Sequence, residues 1–527
     1  MRTTLKRFFR HEAHPYLLPF LLGMGGVVWG LLVARLSPLN ILLLITLTVT
    51  VIGGLLEPLI GVGIALALGP LWAWLRAELP QMPPLIGQYI FLLTVAAWLT
   101  RGILRRSIRI PVPPLLLPLL GFMLVALISL WNPASAGDGL FEWFKWGQIL
   151  IMFLMVSDRL TQAGDTETQK RRRVITAVAI LAGIGAGQAL LGLWQFALRG
   201  TGPEHFAINE RFYRAYGTFE QPNPYAGFLG MMGAIVAGIA ANAIWEWLAG
   251  GKPWMGFLRI PQPSKEATPA WPPAYLWSVL PVAAVIAAAL IASWSRGAWM
   301  GFGAAILAMI AILPRRGIWG VLLVTALIGS GLFLYAQGWL PSAIAERLTG
   351  FLEYTRFEDV RGAGINDLNF AVLERMAHWQ AALAMWRDNF WFGVGFGCYE
   401  AAYPVFRLIN WPYALGHAHN YYLNLLAETG IVGLSAYLIF FGSIFARLWQ
   451  ASRHTSGWMR GLVLGLAGAW MHLAVHDLVD NILVNNVHLH MGVMLALTAW
   501  VFEESKNEIP DRGKPTGYIR EVAASSS

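Results

Sequence analysis

Charge is what this chain has least of. Only 13% of its 527 residues are Asp, Glu, Lys or Arg, against roughly 25% in an ordinary soluble domain. Cysteine is nearly absent: the single thiol, Cys398, excludes an intrachain disulfide and any metal site built from several cysteines. No internal repeat is visible, so an inverted-repeat transporter has no direct support. A cleavable leader is not expected, because the first apolar run, Tyr16 to Leu36, is long and lacks a small-residue cleavage site.

What fills the chain is apolar surface. Hydrophobic residues make up 57% of it, with 25 Trp, and the mean hydropathy is +0.55. Several runs reach the ~18–20 residues that cross ~30 Å of hydrocarbon as a helix. The runs at 16–36, 39–56, 59–76, 86–100, 113–131, 143–157, 174–198, 225–248, 276–294, 297–313, 318–338, 420–446, 461–479 and 485–502 are expected to span a bilayer. With the N-terminus inside, the basic clusters (Arg2 to Arg10, Arg101 to Arg109, Lys170 to Arg173, Arg315 and Arg316, Arg447 to Arg460) all fall on the cytoplasmic side. That is the positive-inside pattern. It accounts for the net charge of +9 without a nucleic-acid partner, and none is expected.

The expected fold is an all-α polytopic membrane protein, a bundle of about 12–14 transmembrane helices with a large helical extracytoplasmic loop. Its expected divisions are N-terminal membrane helices at 1–198, central helices with an outer Arg-bearing loop at 199–338, the large loop at 339–419, C-terminal helices at 420–502 and a cytoplasmic tail at 503–527. The Pro-rich connector Ala249 to Pro273 reads as a linker, and the tail from Glu503 as disordered.

Two outer segments depart from the pattern. Arg199 to Asn223, and the long loop from about Leu340 to Ala418, carry Arg but no Lys. Their arginines oppose the topology bias. Arg without Lys suits a planar, bidentate grip on phosphate or carboxylate, although salt bridges on a soluble cap would also use them. Within the loop, Phe370 to Asp388 spaces its apolar residues as an amphipathic helix, with Leu373, Met376, Ala377, Leu383, Ala384 and Trp386 on one broad face. A glycine-rich turn, Gly393 to Gly397, follows. Phe390 to Phe392 and Trp411 to Tyr413 suit a membrane interface.

Three basic residues stand where membrane meets outer water. Arg296 follows Ser293-Trp-Ser295 at an outer turn, Arg375 lies in the loop helix beside Glu374, and His419 precedes the next membrane helix. Burying a guanidinium near hydrocarbon calls for a partner or ligand; snorkelling to lipid phosphates and an ordinary Glu–Arg pair are the alternatives. Histidine titrates near working pH and can take a proton from a hydroxyl. His472, His476 and Asp480 follow at i, i+4 and i+8, so they are expected to share a helix face, which could bind zinc or form a hydrogen-bonded network that locks helices. Glu400 and Tyr403 could contact sugar or be loop surface.

The segment His419-Asn420, nine residues, Gly430-x-x-Gly433 resembles a pattern of the O-antigen ligase family, the ligase/polymerase superfamily of lipid-linked glycan transferases. Ala436 departs from the pattern's last position. Ser295-Arg296-Gly297-Ala298, Gly217-Thr218-Phe219 with Asn223, and Glu374-Arg375 also look like family signatures. The resemblance runs from Arg214 to the last membrane helix. It implies a GT-C-type membrane fold and an undecaprenyl-pyrophosphate-linked glycan as donor. It also implies that Arg296 and Arg375 hold pyrophosphate, that Arg214 assists in donor binding, and that His419 activates an acceptor hydroxyl. The implied acceptor is a glycolipid, a glycan or a protein, on the outer face of a bacterial cytoplasmic membrane. The implied transfer is inverting and needs no metal or other cofactor. A polysaccharide polymerase or a protein O-oligosaccharyltransferase would use the same residues. A lipid-glycan transporter is the alternative outside enzymology.

Overall fold

Apolar runs fold as helices in hydrocarbon because each backbone N–H and C=O must be paired within the chain. The structure, a computed structural model, describes residues 37–79, 86–106, 109–208, 211–249, 274–314, 317–339, 359–366 and 369–507, with Met24 and Gly30. Its helices are α1 (Pro38–Leu56), α2 (Pro58–Glu78), α3 (Ile86–Leu104), α4 (Leu116–Ile128), α5 (Ala136–Leu160), α6 (Glu167–Ala197), α7 (Pro222–Ala249) and α8 (Leu276–Ala292). They continue with α9 (Arg296–Ile312), α10 (Gly317–Ala336), α11 (Phe370–Asp388), α12 (Tyr399–Phe406), α13 (Tyr421–His454), α14 (Gly457–His476) and α15 (His488–Asn507). One two-stranded sheet, Ala207–Ile208 paired antiparallel with Phe212–Tyr213, lies between α6 and α7.

This is an all-α, multi-pass membrane protein. Among the described residues nine helices are long and apolar enough to cross a bilayer (α1, α2, α3, α5, α6, α7, α10, α13 and α14), and α4, α8 and α9 are shorter apolar helices. Each expected span after the first coincides with one helix. The span at 16–36, the connector at 250–273 and the first part of the long loop, 340–358, lie outside the described residues. The tail begins later than expected: α15 runs through Glu503 to Asn507, helped by a 2.9 Å Lys506–Glu503 pair one turn apart.

Small residues set the packing, because lipid gives helices no hydrophobic reason to associate. α7 and α14 meet through Gly238, Gly461 and Gly465. A Cβ at Gly238 would overlap the Gly465 backbone, and one at Gly461 would lie 2.8 Å from the Ile239 Cα. At the basic end of the bundle, Glu57 receives both nitrogens of the buried Arg159 at 2.9 and 2.5 Å, with Arg173 at 3.9 Å. A buried pair of this kind fixes which helix ends meet more than it adds stability.

The opposite end carries α11 and α12 over the bundle. α11 spans the residues that its periodicity gives, but its buried face is rotated from the one expected. Leu373, Met376, Ala377, Ala381, Ala382 and Met385 are buried, whereas Leu383, Ala384 and Trp386 are half-buried. The 3.6-residue repeat phased on Leu373 and Ala377 continues to Ala381 and Met385, and this turns positions 383, 384 and 386 aside. Phe390, Trp391 and Phe392 are exposed, but Trp411 is buried against Phe370, with ring centroids 5.2 Å apart.

The candidate active site

Arg214 is held by a segment that polar side chains pin in place. On α6, Gln195 Oε1 accepts from the N–H groups of Tyr216 and Gly217 at 3.2 and 2.7 Å, and Gln188 Oε1 accepts from Thr218 N–H at 3.1 Å. Gly217 has φ +54, a left-handed conformation that costs glycine little. Arg214 Nε then donates to the Ser293 carbonyl at 2.9 Å and Nη2 to Asn223 Oδ1 at 3.1 Å. This ties the segment to the turn before α9.

Arg296 is the first residue of α9, with Ser295 at the N-cap. Arg375 rises from α11, Nη1 donating to the Ala371 carbonyl at 3.0 Å. Neither forms an ion pair among the described residues, so Arg375 is not bridged to Glu374, and the two guanidiniums repel each other. Arg214, Arg296 and Arg375 line one cavity of about 230 Å³ with His476 and Asp480. The structure thus brings together all three arginines named from sequence. Asp480 is the only carboxylate among the described lining residues.

His419 stands at the edge of this cavity. It precedes Asn420, whose side chain caps α13 by accepting from Leu423 N–H at 3.0 Å. His419 itself has φ +53, and its N–H donates to His417 Nδ1 at 3.0 Å. Its ring Nδ1 lies 3.9 Å from Asp480 Oδ1, and the two side chains are 17% and 12% exposed. Both ring nitrogens are buried without a hydrogen-bond partner. Burial pulls the Asp480 carboxyl upward, but His419, His476, His417 and Arg375 more than offset this and hold it well below the usual range. Asp480 is therefore ionised at neutral pH, ready to orient an imidazole and to stabilise its protonated form.

Two histidines around His419 escaped the sequence reading. His417 is lowered to about 4 by burial and by His419 beside it, its ring centroid 4.5 Å away. His378, on α11, is lowered to about 4 by the same two causes. It stacks on Tyr403 at 4.8 Å, accepts or donates at Tyr399 Oη at 2.9 Å, and meets His419 edge-on at 5.5 Å. Burial biases both toward the neutral form, in which they wall the site. No spacing links them; only the docking of α11 does.

The expected His472–His476–Asp480 helix face is not formed. α14 ends at His476 with Asp477 as its C-cap, so Asp480 swings away to His419. His472 Nε2 instead meets the Gly227 carbonyl at 3.0 Å, and its ring fills the place of a Cβ at Gly230, locking α14 to α7. The metal-ligand group that does form is His417, His419 and Asp480, whose ligand atoms lie within 4.8 Å of one another. Ligands around zinc stand roughly 3.4 Å apart at bond lengths of ~2.1 Å. The set is looser than that, and His417 Nδ1 is already engaged by the His419 N–H. Tyr403, weighed as a sugar contact, is fully buried, with its hydroxyl on the Trp411 carbonyl at 2.9 Å. Glu400 is exposed.

The glycines of the His419-to-Gly433 motif fasten the cap. Gly430 breaks α13 with φ 64 and ψ −167, a conformation open in practice to glycine alone. The break frees backbone groups that pair with the turn after α11. Val394 and Gly395 donate to the Ala427 and Glu428 carbonyls at 2.9 and 3.0 Å, and Ile431 donates to the Phe390 carbonyl at 3.0 Å. A Cβ at Gly430 would overlap the Trp391 carbonyl, and one at Gly393 would overlap the Glu428 backbone. Gly430→Ala is expected to cost about 1–3 kcal/mol in backbone strain alone, before that overlap. The expected readout is a lowered thermal midpoint with faster proteolysis of the 389–397 turn; an unchanged midpoint would show that the break is dispensable.

The fold and this site define a multi-pass membrane protein with a helical cap closing an arginine-lined cavity over a carboxylate-paired histidine. Residues 281–438 match a family model described as O-Antigen ligase, a stretch that includes Arg296, Arg375, His419 and Gly430. Over that stretch the chain is similar to the O-antigen ligase family, among the ligase- and polymerase-type glycan transferases. No curated protein matches it.

Proposed function

We propose that the protein transfers a glycan from an undecaprenyl-pyrophosphate carrier to an acceptor hydroxyl at the outer face of a bacterial cytoplasmic membrane. The carrying observation is the convergence of Arg214, Arg296 and Arg375 on one cavity beside the His419–Asp480 pair. In this reading the arginines hold the diphosphate. Nδ1 of His419 faces Asp480, which leaves Nε2 for the acceptor. The acceptor oxygen bonds to the anomeric carbon and its proton passes to His419. The bond from that carbon to the phosphate oxygen breaks, and undecaprenyl pyrophosphate leaves with the electron pair. Charge grows on the diphosphate as that bond opens, and preset guanidiniums in a water-poor cleft stabilise it. The same cleft keeps water from intercepting the donor. One displacement inverts the anomeric centre.

Purified protein in proteoliposomes, given lipid-linked glycan and acceptor, is expected to form the new glycosidic bond and release undecaprenyl pyrophosphate. Movement of the intact lipid-linked glycan across the bilayer without bond change would replace this reading with a transporter. A polymerase differs only in the acceptor, which would be a second lipid-linked repeat unit, and product length separates the two. A diphosphate is already a good leaving group, so transfer is expected to persist in EDTA. Loss in EDTA with recovery on one divalent ion would instead make His417, His419 and Asp480 metal ligands.

A further inference from the structure

A second cavity, of about 390 Å³, shares no lining residue with the arginine cavity. His417 lines it, and through that ring it abuts His419. Its chemistry is the reverse of the first. Where three guanidiniums face the donor cavity, this one presents the side-chain amides of Gln88, Gln148, Asn424, Asn485 and Asn486. Its single lysine, Lys145, is neutralised by Glu142 at 2.6 Å. Aromatic rings of Trp72, Phe141 and Phe144 complete the wall.

The site is built rather than incidental. Asn485 and Asn486 both adopt left-handed backbone, φ 52 and 59, which asparagine tolerates better than most residues. Their turn leans on Gly69 of α2 and Gly87 of α3, where a Cβ would come within 3.2 Å of the Asn485 carbonyl and 2.8 Å of Asn486 Nδ2. The connector between α14 and α15 is thereby wedged against the N-terminal helices. Gln88 Nε2 donates to Asn486 Oδ1 at 3.4 Å, while Gln88 Oε1 is buried with no partner. A buried amide oxygen left unpaired costs free energy that a ligand hydroxyl would recover.

We infer that this cavity is the subsite for the acceptor's sugar, an uncharged, hydroxyl-rich saccharide that reaches His419 past the His417 ring. The inference rests on the transfer reading above. Gln148 and Asn424 are partly engaged by His488 and by the Ala418 N–H, and burial raises the lining Glu428 to about 8. The remaining amides both donate and accept, which matches vicinal hydroxyls, and aromatic faces cover the apolar C–H surface of a pyranose. A phosphate-bearing segment would find no free cation here, so charge alone sorts the two substrates to the two cavities. The group of His417, His419 and Asp480 then touches both cavities, His417 lining this one and Asp480 the other.

The test places the photocrosslinker p-benzoylphenylalanine at position 144, where Phe144 is 59% exposed, in full-length protein carrying His419→Ala so that a bound acceptor is not consumed. Irradiated cells are expected to give an adduct whose mass includes sugar residues. The adduct should persist in cells unable to assemble lipid-linked glycan, and fall at least several-fold when Gln88→Leu and Asn486→Ala are added. The same probe at Leu322, an exposed position on α10, should capture phospholipid only. An adduct of phospholipid alone at position 144, or one that vanishes with the lipid-linked glycan, would overturn the acceptor assignment. Position 141 serves as the second probe site if the 144 variant does not accumulate. Because crosslinking is read in inactive protein, it stands apart from the transfer reading, which fails separately if His419→Asn still transfers glycan.

Discussion

His419→Ala is expected to lower glycan transfer by about 10²–10⁴-fold, the usual contribution of a positioned general base. His419 has left-handed backbone, where an alanine is strained by roughly 1–2 kcal/mol, so the alanine variant alone would confuse chemistry with folding. His419→Asn separates them. Asparagine tolerates that backbone and cannot accept the proton, so equal loss in both variants with an unchanged thermal midpoint identifies the lost base. Asp480→Asn should give a smaller but clear loss, because an amide keeps the shape beside Nδ1 but cannot stabilise the imidazolium. Wild-type rates in the asparagine variant would remove His419 from the chemistry.

The second large effect concerns the arginines. Replacing either Arg296 or Arg375 by alanine should cost roughly 10–10²-fold in transfer, from charged hydrogen bonds worth about 1.5–3 kcal/mol each. Lysine restores the charge but not the planar fork, so recovery should be partial. The stability effect should be small. Arg375 both repels Arg296 and attracts the ionised Asp480, so Arg375→Ala should change the thermal midpoint little as activity falls. A lowered midpoint with retained activity would instead make Arg375 a structural residue of the cap.

The sequence made some of this arrangement legible and hid the rest for physical reasons. Periodicity is local, so α11 was readable to its ends, and so was the helix start after His419-Asn420. Arginine without lysine on one side pointed to three residues that share a cavity, because that signal concerns ligand chemistry and not contacts. The stripe of His472, His476 and Asp480 misled, since it assumed that α14 continued. The cluster Asp477, Asp480, Asn481 within a few residues was a turn signal that should have ended the helix. The pairing of Asp480 with His419, and the placing of His378 behind both, follow from docking α11 and α14 across the bundle. No local rule reaches that far. The same holds for Glu57 and Arg159, which meet across four helices.

The break at Gly430 divides α13 into unequal parts. Beyond it lies the long stem that crosses the membrane; before it, Tyr421 to Thr429 forms an arm about 13.5 Å long at 1.5 Å per residue. His419 rides at the tip of that arm, and the turn from Phe390 to Gly395 grips its root. A tilt of about 10° at the root would carry the tip by about 2.4 Å, by the same helix geometry, enough to change the 3.9 Å gap to Asp480 substantially. If His419 is the base, its alignment is set by leverage at a glycine eleven residues away.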